Sequence, residues 1–323
     1  MLVSTINNNN NYNQQLYKPH KQQVTTKGYS RLAVAQSPSF KGLGTLTTNA
    51  LKSLNPLNNI LNSVFKRSVL ASRKIFKSPI PSLQGKIEEI MIPTKNKKLI
   101  HAWNINPNKN KEYVLFLHGT SHNITNSQHF YESIINTKKF GVFIPEYRGY
   151  GKNQKINVDE HTLIEDGQAA VDYLVNKKNV NKNSISIVGH SLGGGIAAAV
   201  ARRNPELKQV VLISPINTLK HELENIKNNK HIKMPKFLRK IVETFPWLLS
   251  SVNKKFNTNK ELQNTIVPTH IIHSKNDKLI LSKSSVDLAK HAKNLSSINL
   301  IDTGGHGLEV LKIDKTLECL LKG

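Results

Sequence analysis

Cysteine is nearly missing from this 323-residue, 36.3-kDa sequence: Cys319 stands alone, so no disulfide can close within the chain and no thiolate metal site can be assembled from it. Arginine is scarce too. Of the 46 basic residues 39 are Lys and 7 are Arg, whereas planar, bidentate recognition of phosphate and guanine favours Arg. Aromatic residues make up 6% and are not interleaved with the bases, so no nucleic-acid partner is expected. Acidic residues are absent from the first 87 positions, which carry 12 bases; from Glu88 onward there are 34 bases and 21 acids. The net charge of +25 is therefore densest in the first quarter of the chain. No apolar run approaches the ~18 residues that could span a bilayer. The first ten residues show neither the basic start nor the apolar stretch of a secretory signal. These absences point to a cytoplasmic protein or one peripheral on a membrane surface.

Residues 1–84 form a compositional unit, with an Asn run from Asn7 to Asn11 and then Gln, Ser, Thr and Lys among scattered apolar residues. Such a segment buries too little apolar surface to offset backbone ordering, and it reads as a largely disordered basic arm. Within it, Leu57, Ile60, Leu61, Val64, Phe65 and Val69 recur at helical spacing beside Lys66, Arg67, Arg73 and Lys74. That pattern fits a basic amphipathic helix near residues 57–76. Three uses stay open: lying on an anionic membrane surface, targeting to an organelle, or packing its stripe on the rest of the protein.

Residues 85–323 read as one domain. Strands are expected at Lys86–Ile92, Lys98–Trp103, Tyr113–Leu117, Val142–Ile144, Ile185–Val188, Val210–Ile213, His270–His273 and Ile298–Ile301. Helices are expected at Glu160–Asn176 and Leu192–Arg203. Strands separated by helices predict an α/β fold with a mainly parallel, doubly wound sheet, its first strand pair an antiparallel edge. Residues 217–260 interrupt the alternation with a Lys-rich stretch containing Pro235, Pro246 and the cluster Phe245, Trp247, Leu248, Leu249. This insertion fits either a lid or a helical cover for the sheet.

The most informative segment is Ile185-Ser186-Ile187-Val188-Gly189-His190-Ser191-Leu192-Gly193, an expected strand that runs through G-x-S-x-G into an expected helix. A serine on so sharp a turn needs neighbours without Cβ at both flanking positions, hence Gly189 and Gly193. The turn lifts the Ser191 hydroxyl above the sheet and aims the Leu192 N–H at the place where an oxyanion would form. A nucleophilic serine needs a base, and the base an orienting acid. Asp277 follows the strand ending at His273, and His306 follows the last strand within Gly304-Gly305-His306-Gly307. Asp302 and Glu309 are rivals for the acid. After Val114–Leu117, the turn His118-Gly119-Thr120-Ser121 can supply the second oxyanion donor, assigned to the Thr120 N–H with Ser121 as the rival; His118 reads as structural.

Together, His118-Gly119, Pro145-Glu146-Tyr147-Arg148-Gly149-Tyr150-Gly151, Gly189-His190-Ser191-Leu192-Gly193-Gly194, Asn276-Asp277 and Gly305-His306 resemble the α/β-hydrolase superfamily. The likeness is nearest the branch of membrane-associated serine hydrolases with lysophospholipase-like and protein-depalmitoylating members, and spans residues 86–323. It implies an esterase, lipase or thioesterase without cofactor or metal, with Ser191, Asp277 and His306 as triad and Arg148 as a framework residue. Two departures stand out: Glu146 replaces the usual Asp, and Thr120-Ser121-His122 replaces an Asn-Ala-Gly type of sequence. A peptidase or amidase shares every one of these residues, and a catalytically silent scaffold is the alternative outside the enzyme class.

Overall fold

A computed structural model describes residues 76–323 apart from 96, 121, 154–157 and 229–255. The stripe from Leu57 to Val69 and the cluster Phe245–Leu249 lie outside the described residues. Eight strands form one sheet: β1 (Ile87–Pro93), β2 (Leu99–Ile105), β3 (Glu112–Leu117), β4 (Phe140–Pro145), β5 (Ile185–His190), β6 (Gln209–Ile213), β7 (Thr269–Ser274) and β8 (Leu295–Ile301). Their order across the sheet is β1-β2-β4-β3-β5-β6-β7-β8. β1 pairs antiparallel with β2 and β2 antiparallel with β4, and every later pair is parallel.

Seven helices accompany the strands among the described residues: α1 (Gln128–Asn136), α2 (Glu160–Asn176), α3 (Leu192–Arg203), α4 (Leu219–Asn228), α5 (Thr258–Gln263), α6 (Ser282–His291) and α7 (Val310–Lys322). The central strands are buried on both faces, which is why they read as unbroken apolar runs. Leu115, Leu117, Ile187, Val210 and Leu212 pack with Leu163, Ala170 and Leu174 of α2 and Ile196, Ala197 and Val200 of α3. The alternate residues Val114, Phe116, Val188, Val211 and Ile213 pack with Phe130, Tyr131 and Ile134 of α1 and Leu320 of α7. The period-2 alternation of side chains thus fills two cores, one on each side of the sheet.

Helix α2 starts where the chain supplies a cap: the Asp159 carboxylate accepts from Thr162 N at 2.8 Å, and the Thr162 hydroxyl reaches back to the Asp159 backbone. Its bounds and those of α3 coincide with the expected ones, whereas α1, α6 and α7 were not anticipated from the sequence.

Ordered packing begins upstream of residue 85. Phe76 sets its ring edge-on to His101 and Trp103, at centroid distances of 5.7 and 5.8 Å. Ile80 N donates to Gln128 Oε1 at 2.7 Å, Gln128 Nε2 donates to Ser78 O at 3.0 Å, and Leu83 is buried in a 3₁₀ turn at Pro81–Leu83. Residues 76–84, grouped with the arm by composition, therefore lie against the sheet and α1. The insertion leaves and returns at one point, since Thr258 N donates to Asn217 O at 2.9 Å. Its helix α4 is tied to α6 through buried Glu222, which accepts from Ser284 Oγ at 3.2 Å.

Candidate active site

Ser191 sits between β5 and α3 with φ +57° and ψ −119°, a backbone conformation uncommon for any residue with a side chain. Its own N–H is spent on Ile213 O at 2.9 Å, which locks the turn to β6. A Cβ at Gly189 would overlap the Gly193 carbonyl, and one at Gly193 would overlap the Leu117 carbonyl, so neither position admits a side chain. The loop after β3 runs directly against the nucleophile: a Cβ on Gly119 would lie 3.0 Å from Ser191 Cβ. Thr120 follows it. Ser121, its rival as a donor, lies outside the described residues.

His306, in the loop between β8 and α7, places Nε2 2.9 Å from Ser191 Oγ and Nδ1 2.8 Å from Asp277 Oδ2. Because a carboxylate only accepts, Nδ1 carries the proton, and the Nε2 lone pair is left facing the serine hydroxyl. Asp277 is 2% exposed, in the turn after β7. Its Oδ1 accepts from Leu279 N and Ile280 N, each at 2.9 Å, and its Oδ2 also lies 3.2 Å from His273 Nε2. Burial alone would raise its pKa, but the hydrogen bonds from His273 and His306, with the backbone donation of Ile280, outweigh burial and hold the carboxyl well below the usual range.

His273 was not singled out in the sequence, yet it supports the acid. Its Nε2 also lies 2.9 Å from Ile280 O, which can only accept, so Nε2 is protonated and Nδ1 takes the Ser285 hydroxyl at 2.6 Å. The rivals for the acid are elsewhere. Asp302, with 78% of its side chain exposed, pairs with Lys275, and Glu309 accepts from Gly305 N at 2.8 Å.

Beneath the Gly119 turn, His118 Nε2 and Glu146 Oε1 lie 3.3 Å apart, fully buried, though without hydrogen-bond alignment. Tyr147 donates its hydroxyl to His118 O at 3.2 Å. His118 thus stands under the loop, as its structural reading expects. Arg148 fastens the next turn to α2: Nε reaches Asp166 Oδ1 at 2.7 Å, Nη2 reaches Thr162 O at 2.8 Å, and its backbone N–H reaches Asp166 Oδ2 at 2.8 Å. Burial pushes Asp166 up to about 7 against the opposing pull of Arg148. Among the described residues no group of three or more His, Cys, Asp or Glu side chains could hold a metal ion, and no helix is long and apolar enough to cross a membrane.

The site thus consists of a strand-turn-helix serine reached by a histidine and a buried aspartate, on a mostly parallel eight-stranded sheet, and the chain is similar to several known proteins. A family model described as serine aminopeptidase, S33, matches residues 108–259, a span that contains Ser191 but neither Asp277 nor His306. A putative esterase/lipase of Mycoplasma genitalium is 26% identical over 246 residues, covering 67% of this chain and 90% of that protein. Among solved structures, the Pyrococcus furiosus esterase Pf2001 superposes with a TM-score of 0.63 at 19% identity, over 79% of this chain and 97% of that one. A Mycobacterium tuberculosis puromycin-hydrolyzing peptidase superposes with a TM-score of 0.59 at 16% identity, over 76% of this chain and 40% of that one. The fold is the α/β-hydrolase fold. In sequence the likeness is to hydrolases, through the family model and the Mycoplasma relative, whereas the two solved structures, both below 25% identity, bear on the fold alone.

Proposed function

We propose that the chain is a serine hydrolase cleaving a carboxylic ester or thioester, of the acyl-lipid or acyl-protein type, through an acyl-enzyme on Ser191. One observation carries the reading: a single imidazole lies 2.9 Å from Ser191 Oγ and 2.8 Å from a buried carboxylate. His306 Nε2 takes the Ser191 proton as Oγ attacks the carbonyl carbon, then gives that proton to the departing alcohol or thiol as the bond breaks. Water repeats the cycle on the acyl-enzyme and frees the acid. Asp277 keeps His306 in the required tautomer and favours the imidazolium that forms transiently. The Leu192 N–H, first in α3 and so without a carbonyl within the helix, and the Thr120 N–H are the assigned oxyanion donors.

A serine-directed phosphonate probe tests this. It should label the wild-type protein, fail on Ser191→Ala and react far more slowly with His306→Ala. Folded wild-type protein that takes up no probe would sink the proposal. The amide reading is favoured by the aminopeptidase description of the matching family and by the likeness to a puromycin-hydrolyzing peptidase. A panel of esters, thioesters and amides of graded acyl length separates the two, with turnover confined to amides overturning the ester reading.

The basic arm extends the proposal to an anionic membrane surface, on the strength of 12 bases without an acid before Glu88. Each base near such a surface contributes about 1 kcal/mol. Because residues 76–84 pack on the domain, the truncation that tests it ends at residue 75. Co-sedimentation with anionic vesicles should be lost on that truncation, while hydrolysis of a small soluble ester persists.

A further inference from the structure

The loop that carries His306 is gripped from outside along its whole length. Gly304 O accepts from Ser274 Oγ at 3.0 Å, and Gly305 O accepts from Lys312 Nζ. The carbonyl of His306 itself lies 2.8 Å from His190 Nε2, and Gly307 O accepts from Lys312 Nζ at 2.8 Å. Four successive carbonyls are therefore held by three side chains from three different elements. His190 Nε2 must be the protonated nitrogen, because a carbonyl oxygen only accepts.

Lys312 is the more telling residue. It is 0% exposed, a burial that costs an ammonium several kcal/mol unless it is fully paired. Its charge is met here: Gly305 O and Gly307 O each accept one of its N–H groups, and the Glu309 carboxylate lies 3.1 Å away as an ion pair, though without hydrogen-bond alignment. An aliphatic side chain would fill the same space without that desolvation, so packing alone does not account for a lysine at this point. What the ammonium does, and a hydrocarbon could not, is hold the carbonyls on either side of His306. The loop itself can do little to fix its shape, since its glycines have the widest conformational freedom and Gly304 stands at φ +83°.

We infer that Lys312 and His190 act together as positioning residues for His306, holding the carbonyls of residues 305–307 so that the imidazole meets Ser191 in line. The inference rests on the reading of His306 as the catalytic base. Neither residue touches the substrate; each acts through the backbone that aims the ring.

The test uses 4-nitrophenyl butyrate hydrolysis by the full-length protein. Lys312→Met keeps the length and removes the donors, and kcat should fall by about 10²-fold, the scale of an ångström-sized misplacement, with KM nearly unchanged. Introduced into His306→Ala, the same substitution should have almost no further effect on the residual rate, which a general loss of folding would not reproduce. Wild-type kcat in Lys312→Met, or a full additional loss in the His306→Ala background, overturns the inference. Should Lys312→Met fail to melt cooperatively, His190→Leu and His190→Gln carry the test. The glutamine retains a donor near the Nε2 position and should lose several-fold less kcat than leucine, and equal losses overturn the inference. A wild-type protein inert to substrate and to phosphonate probe removes the base reading itself; an active wild type with an unaffected Lys312→Met removes only this inference.

Discussion

Between β5 and α3 the Ser191 turn is fixed by backbone: Ser191 N bonds Ile213 O, and Gly189 and Gly193 press so close to neighbouring carbonyls that no side chain fits. Between β8 and α7 the His306 loop is fixed by side chains reaching in from Ser274, His190, Lys312 and Glu309, and its glycines are approached by the Glu309 side chain, 3.1 Å from a Cβ at Gly304, rather than by backbone. A Cβ at Gly305 would come no closer than 3.6 Å to Glu309 Oε1. The first turn owes its shape to what is excluded beside it, a constraint written in adjacent residues. The second owes its shape to partners up to 116 positions away in sequence. The difference teaches that two halves of one site can differ in how they fail: the serine turn by steric intrusion, the histidine loop by loss of a remote donor.

The largest expected effect falls on the acid that joins the two. Asp277→Asn should leave the fold intact and lower kcat by about 10⁴-fold, the size of the serine-protease precedent. The new amide would face His306 Nδ1 with N–H groups, favouring the tautomer whose Nε2 is protonated and cannot accept the serine proton. Asp302→Asn, at an exposed side chain paired with Lys275, should change kcat little. Loss of activity in Asp302→Asn with retention in Asp277→Asn would break the assignment. Next in size is a pair of alanines. Gly193→Ala should destabilise by about 1–3 kcal/mol or more, because the added methyl must displace the Leu117 backbone. Gly305→Ala should lower the melting temperature far less. Equal drops would erase the contrast between the turns.

The same contrast explains what could be read in advance. Gly189-His190-Ser191-Leu192-Gly193 announces its turn because the glycines that make it possible sit beside the serine, and apolar strands such as Val210–Ile213 announce themselves because both faces are buried. Asp277 and His306 were reachable by their places after β7 and β8. Lys312, His190, His273 and Ser285 were not, since a polar side chain gives no local sign that it will be buried against a distant loop. Helix α1 was missed although Phe130, Tyr131 and Ile134 have helical spacing, because Asn- and Ser-rich flanks mask a span of nine residues. The packing of residues 76–84 was hidden for a like reason: Phe76, Ile80 and Leu83 are too sparse to mark an element until Gln128 and Trp103 are seen to receive them.

The smallest expected effect is on stability against pH, and it sharpens the side-chain half of the comparison. Burial holds His190 well below its ordinary value of 6.5, with the charge of His306 adding to it and that of His122 and Lys312 contributing in the same sense. The His306 and His122 rings lie 5.2 and 5.8 Å from it. Folded protein therefore keeps His190 neutral where the unfolded chain would protonate it. The unfolded state then binds more protons, so stability is full above about pH 6.5 and falls as the pH drops toward the depressed folded value. One such site contributes at most about 1.4 kcal/mol per pH unit. His101 and His270, also lowered chiefly by burial, tilt the curve the same way. Urea midpoints between about pH 7 and pH 5 should fall less steeply in His190→Gln than in the wild type, since glutamine keeps a donor for the His306 carbonyl and has no proton to gain. Parallel curves would mean that His190 is protonated in the folded protein as readily as in the unfolded chain, and its bond to the loop would then be that of an imidazolium.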